Sequence, residues 1–210
     1  MPISKRTSGK GRRPYHHGNL RRALLDEALA TIRVEGVEGV TLREIGARVG
    51  VSRSALYRHF ADKGALLTAV ATEGFRTLRE ELVTAWETGG RNDAAFHGMG
   101  VAYVRFAMSN PSHYRVMFGG IVDPRARDPA LATEAEGAFD ALVEALSALQ
   151  QDAVMCDDDP VLMARYVWAL VHGIAMLGID GKLRERAAVE QLMRYAFARL
   201  RTGIAVSGDA

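Results

Sequence analysis

Residues 41–60 read TLREIGARVGVSRSALYRHF, and the spacing within them decides the fold. Thr41 and Glu44 stand as a capping box, in which the threonine hydroxyl accepts from the backbone of residue 44 while the glutamate reaches back. Leu42, Ile45 and Val49 then share one face of a short helix, and the small Gly46 leaves room for a neighbour. Gly50 supplies the left-handed conformation of a sharp turn, Val51 turns into the core, and Ser52 is placed to cap a further helix through Leu56, Tyr57 and Phe60. Two short helices flanking a turn of three to four residues form the helix-turn-helix pattern, whose second helix can enter the major groove of DNA.

Outward from this segment the periodicity stays helical. Asn19 is an expected N-cap, and Leu20, Ala23, Leu24, Ala28, Leu29 and Ile32 mark an amphipathic helix ending near Gly36. Asp62 is placed to cap a long helix whose apolar side carries Leu66, Leu67, Val70, Phe75, Leu78, Leu82 and Trp86, with Gly89-Gly90 at its end. Helical patterns follow over about 93–109, 111–118, 128–151, 159–179 and 184–202, several of them opened by a proline at the first helical position. No strand-period segment and no fixed repeat competes. The expected class is therefore all-α with about nine helices, divided into a flexible basic arm (1–18), a helix-turn-helix domain (19–65), an effector-binding and dimerisation domain (66–204) and a disordered tail (205–210).

Composition narrows the function classes. The chain has 210 residues, 48% of them hydrophobic, which is enough to bury one sizeable core or two small ones. Cys156 is the single cysteine, so neither an internal disulfide nor a thiolate zinc cluster can form. No apolar run reads as a membrane span and no signal peptide is seen, so the expectation is a soluble, cytoplasmic protein with no membrane partner. Residues 1–63 hold 13 Lys+Arg against 6 Asp+Glu while the remainder is net acidic, which suggests a basic piece that meets a polyanion. There is no glycine-rich phosphate loop, nucleophile elbow or His-Glu-x-x-His, and Asp157-Asp158-Asp159 precede a helix start, where acids act as caps. The chain is accordingly expected not to be an enzyme and to use no cofactor and no metal.

The first helix, the 41–60 motif and the following Asp62-Lys63-Gly64-Ala65-Leu66-Leu67 together resemble the DNA-binding domain of TetR-family transcription regulators, with Ala55–Phe60 and Lys63 as the most diagnostic part. Trp168-Ala169-Leu170-Val171-His172-Gly173, with Arg115–Phe118 and Asp180-Gly181, is similar to the WHG type of C-terminal domain in that family. The resemblance implies a homodimer on a pseudo-palindromic operator in double-stranded DNA. It implies that Ser52, Arg53 and Ser54 face base edges, with Arg53 bidentate to guanine, and that Thr41, Arg43, Tyr57, Arg58, His59 and Lys63 meet the backbone. Arg12 and Arg13 are placed either to enter an adjacent minor groove or to add only non-specific attraction.

The second domain is expected to hold a largely apolar small-molecule effector. Candidate lining residues are Tyr103, Phe106, Met117, Phe118, Phe139, Met163, Trp168, His172 and Met176, each of which also reads as ordinary core, His172 as a satisfied structural histidine. Ala164, Ala169 and Gly173, with Leu192, Tyr195, Ala196 and Leu200, are the expected dimer contacts. The leading function is a ligand-released repressor; a non-specific architectural DNA binder and, further off, a helical enzyme or ligand-binding protein are the alternatives.

Overall fold

The computed structural model describes residues 20–122, 128–183 and 185–204. The arm with Arg12 and Arg13, the cap expected at Asn19 and the tail after 204 lie outside them. Among the described residues the chain forms nine helices and no strand: α1 (Leu20–Glu35), α2 (Leu42–Val49), α3 (Arg53–Tyr57), α4 (Lys63–Thr88), α5 (Asp93–Ser109), α6 (Pro111–Phe118), α7 (Pro129–Gln151), α8 (Pro160–Ile179) and α9 (Arg186–Ile204).

Local chemistry sets these boundaries. The Thr41 hydroxyl accepts from the Glu44 N–H at 3.3 Å, but the glutamate answers the threonine hydroxyl itself, at 2.8 Å, rather than the cap backbone. Gly50 adopts φ +77° and closes α2, with its N–H on the Ala47 carbonyl. Ser52 Oγ accepts from Ala55 N at 3.2 Å and opens α3. A β-carbon on Gly46 would sit 3.2 Å from Leu56 Cδ1, so the two helices meet glycine to leucine. Asp62, Asp128 and Asp159 cap α4, α7 and α8 through their carboxylates, and the prolines after the last two occupy positions whose N–H has no helical partner.

The third helix is shorter than the sequence suggests. It stops at Tyr57, and Arg58, His59 and Phe60 form a turn in which the N–H groups of His59 and Phe60 both bond the Leu56 carbonyl. Burial of the Phe60 ring turns the chain inward there, toward the Asp62 cap of α4.

The 26-residue helix α4 joins the two halves. Its apolar side packs in one continuous core with α1, α5, α6 and α7. Between α4 and α7, Glu134 is gripped by Arg76 at 2.9 Å and Arg79 at 3.1 Å. The helix α8 packs against α5, α7 and α9. By length and composition α8 is apolar enough to cross a bilayer, because it is apolar on more than one face: Met163, Val167, Val171 and Ile174 enter the core, while Leu162, Tyr166 and Leu177 face outward.

Candidate nucleic-acid interface and effector cavity

Short helices present side chains well only if their ends are fixed, and both ends of α3 are. Its cap sits on a glycine-closed turn and Leu56 anchors it against α2. Arg53, Ser54, Tyr57 and Arg58 are consequently exposed together, as are Thr41, Arg43 and Ser52. The Arg53 guanidinium lies 5.5 Å from the Tyr57 ring centroid, a cation–π contact that steadies its long side chain. Ser52 Oγ is committed to the cap and lies 3.1 Å from Ser54 Oγ. His59 and Lys63 are half-buried, and Lys63 Nζ donates to the Glu38 carbonyl at 3.4 Å. Arg43, Arg53 and Arg58 take part in none of the ion pairs found among the described residues, whereas Arg48 is tied to Glu27 and Glu35. The basic surface of α2 and α3 is thus sorted into groups free for a polyanion and one that serves the fold.

The second domain encloses a cavity of about 370 Å³ between α4, α5, α6, α7, α8 and α9. Tyr103, Met117, Phe118, Phe139 and Trp168 line it as expected. Phe106, Met163 and Met176 do not: along α5 the lining stretch runs from Phe96 to Tyr103, and along α8 from Arg165 to Val171, so these three fall beyond its ends and pack in the core. Phe75 and Leu78 of α4 stand in the cavity wall, as the sequence reading placed them, whereas sequence reasoning missed Phe96, Met99 and Phe197, whose helical spacing is indistinguishable from that of plain core residues, and the charged Glu136, Asp140 and Arg165.

Behind the wall a hydrogen-bonded chain runs across three helices. Trp168 Nε1–H donates to Tyr103 Oη at 3.0 Å, Tyr103 Oη lies 2.9 Å from Tyr114 Oη, and Tyr114 Oη lies 2.7 Å from His172 Nδ1. Burial pushes the Tyr103 phenol up to about 12 and the Tyr114 phenol higher still, and it pulls His172 below its ordinary value, so all three are neutral near pH 7. One direction gives the indole and both phenol protons an acceptor: Trp168 to Tyr103, Tyr103 to Tyr114, Tyr114 to Nδ1, with the His172 proton on Nε2. His172 therefore sits behind the cavity wall as a satisfied acceptor.

The short helix α6 touches both halves. Met117 and Phe118 line the cavity at one end. At the other, Ser112 Oγ donates to the Leu29 carbonyl of α1 at 3.2 Å, and His113 Nε2 lies 3.2 Å from Glu73, which also holds Arg22 of α1 at 2.9 Å. Burial pulls His113 below its ordinary value, against the raising effect of Glu73.

The expected dimer contacts divide in two. Ala164, Ala196 and Leu200 are buried in the protomer's own core and are unavailable to a partner. Ala169 is exposed and Gly173 and Leu192 are half-buried, and Tyr195 is 62% exposed with Arg199 stacked on its ring. With Leu162, Tyr166 and Leu177 they make an outward apolar stripe on α8 and α9.

Comparison with known proteins agrees with this architecture. Residues 24–70 match the family model for bacterial regulatory proteins of the tetR family, and residues 96–200 match that for the tetracyclin repressor-like C-terminal domain. A solved structure of a protein of unknown function from Rhodococcus sp. RHA1 is 31% identical, with a TM-score of 0.80 over 92% of this chain and 100% of that one. A helix-turn-helix-type transcriptional regulator of Bacillus subtilis, YobS, is 28% identical over 108 residues, 51% of this chain and 56% of that relative's length. SmeT, the repressor of a Stenotrophomonas maltophilia multidrug efflux pump, shares the fold at 22% identity and a TM-score of 0.66, over 91% of this chain and 93% of that one. The helix-turn-helix unit, the bundle behind it and both matched models place the chain in the TetR family of bacterial regulatory proteins.

Proposed function

We propose that the protein is a sequence-specific transcription regulator, a repressor that binds its operator as a homodimer and is released when a small molecule fills the cavity of the second domain. The observation that carries this is the continuity of α4: its N-terminal Lys63 follows α3 after a five-residue turn and bonds the Glu38 carbonyl that leads into α2, and its Phe75, Leu78 and Leu82 form part of the cavity wall. A ligand that displaces Phe75 or Phe118 therefore acts on a helix and on the α6 contact that both seat the DNA-binding unit. In this reading Arg53 specifies sequence from the major groove. Thr41, Arg43, Tyr57, Arg58, His59 and Lys63 set register on phosphates, and Arg12 and Arg13 extend the contact. The outward stripe of α8 and α9 joins the protomers, which gives the two recognition helices a fixed spacing. Such a regulator acts in the cytoplasm, where its DNA lies, and needs no catalytic group. Among the described residues no cluster of three His, Cys, Asp or Glu side chains could hold a metal.

Fluorescence anisotropy of the purified protein on the duplex upstream of its own gene, followed by random-sequence selection if that duplex is not the operator, tests this. Competitor-resistant binding of two protomers per pseudo-palindrome is the expected result. Binding that random DNA abolishes on every selected duplex overturns it in favour of an architectural protein.

A further inference from the structure

The cavity has an opening with its own chemistry. Of its lining side chains, the exposed ones are Glu136 and Asp140 on α7 and Arg165 and Trp168 on α8, which places the mouth between these two helices. Glu136 and Asp140 are four residues apart and so lie on the same side of α7. Neither they nor Arg165 take part in the ion pairs or side-chain hydrogen bonds of the described residues, whereas Glu134 on the same helix and Glu81 on α4 are paired with arginines. The mouth therefore carries two uncommitted carboxylates against one uncommitted guanidinium.

The interior points the same way. Its walls are almost wholly apolar, and their polar groups are Tyr103 Oη and the Trp168 indole N–H. The Trp168 N–H is spent on Tyr103 Oη, and with the His172 proton on Nε2 the Tyr103 proton is spent within the chain, on Tyr114 Oη at 2.9 Å or His172 Nδ1 at 3.2 Å. What remains to a guest is a lone pair on Tyr103, so the interior can accept a hydrogen bond and has none to give. The rings of Phe139 and Trp168, 6.1 Å apart near the opening, offer faces that attract a cation and do nothing for an anion.

We propose that the effector of this cavity is an apolar, ring-bearing molecule with one protonated amine. Its ring system lies among Phe96, Phe118 and Phe139, and its ammonium group stands at the α7–α8 mouth beside Glu136 and Asp140. Arg165, across the mouth, cancels part of the acidic field and so disfavours a second positive charge on the ligand. The proposal rests on the reading of the cavity as an effector site, and the following test separates the two.

Full-length protein is titrated calorimetrically with three probes of one shape: naphthalen-1-ylmethylamine, naphthalen-1-ylmethanol and 1-naphthoate. The amine is expected to bind about fivefold tighter than the alcohol, and the carboxylate weakest of the three, as two exposed carboxylates at the mouth would give. The surface variant Glu136→Gln/Asp140→Asn should bring the amine within about twofold of the alcohol while leaving alcohol binding unchanged, and Arg165→Gln should strengthen the amine. Ala135→Leu, which narrows the cavity, should weaken all three probes. If the alcohol or the carboxylate binds as tightly as the amine, or if the amine preference survives in the double variant, the cationic ligand is wrong although the cavity remains an effector site. If none of the probes binds, or if Ala135→Leu leaves every affinity unchanged, the effector reading falls and the proposal with it.

Discussion

The two halves of this chain are built for opposite purposes from the same helices. In residues 41–63 the groups proposed to meet DNA stand outside a closely packed unit: Leu56 meets Gly46, the caps are short-range, and Arg53, Tyr57 and Arg58 owe their exposure to that rigidity. In residues 66–204 the groups proposed to meet an effector face inward, around a space left unfilled, and a polar chain across α5, α6 and α8 links Trp168, Tyr103, Tyr114 and His172. A surface site needs a stiff support and tolerates little loss of packing, whereas an interior site keeps a void that side-chain changes can enlarge or fill.

That contrast predicts the largest effect in the smaller unit. Leu56→Ala removes the side chain that holds α3 on α2 and should cost about 2–5 kcal/mol in chemical denaturation. Binding to every duplex should fall with it. A loss no larger than that of the half-buried Leu142→Ala, whose side chain already borders the cavity, would show that the helix-turn-helix is not the more tightly packed of the two.

A second test separates base reading from phosphate binding within the exposed set. Arg53→Ala should cost about 1–3 kcal/mol on the operator and relax sequence preference. Lys63→Ala should weaken operator and random duplexes alike and reduce the slope of log affinity against log salt by about 1. Equal losses on both kinds of DNA for Arg53→Ala would remove it from base readout.

These two regions also differ in how far the sequence reveals them. The helix-turn-helix was legible almost residue by residue because its determinants are local: a threonine cap, a left-handed glycine and a serine cap lie within twelve residues, and each acts on a neighbour three or four positions away. Two details there differ: Glu44 takes the Thr41 hydroxyl instead of the cap backbone, and α3 ends early because of Phe60, whose burial is a tertiary event. In the second domain the helices were legible but the cavity was not. Phe106 and Tyr103 lie on one helix at core spacing, and only the arrangement of the surrounding helices decides that one borders a void and the other does not. The same holds for Ala164, which looks like a small interface residue and is core, against Tyr166 two positions on, which faces out.

His172 gives the interior site a pH signature. Its folded value is depressed by burial, so the unfolded chain binds a proton more readily than the native one, and stability is lost as pH falls below the ordinary histidine value of about 6.5. His113 contributes in the same direction. Thermal unfolding between pH 7.5 and 5.5 should show a falling midpoint, and His172→Gln, whose amide oxygen can still accept from Tyr114, should flatten part of that fall. An unchanged slope in this variant would mean that the imidazole takes its proton without breaking the Tyr114 contact.

The smallest effect tests the void itself. Ala135 is half-buried on α7 and borders the cavity, and a leucine there adds apolar volume where no side chain now stands. In a closely packed core such a change destabilises, because neighbours must leave their rotamers. Here it should be neutral or stabilising by about 0.5–1 kcal/mol in denaturant unfolding, since it removes empty space at little strain. Operator affinity should stay within about twofold, as α4 and α6 keep their seats, while release by any cavity ligand is lost. A clear destabilisation would mean that the space collapses in solution, and the inward site would then be a core like the one behind α3.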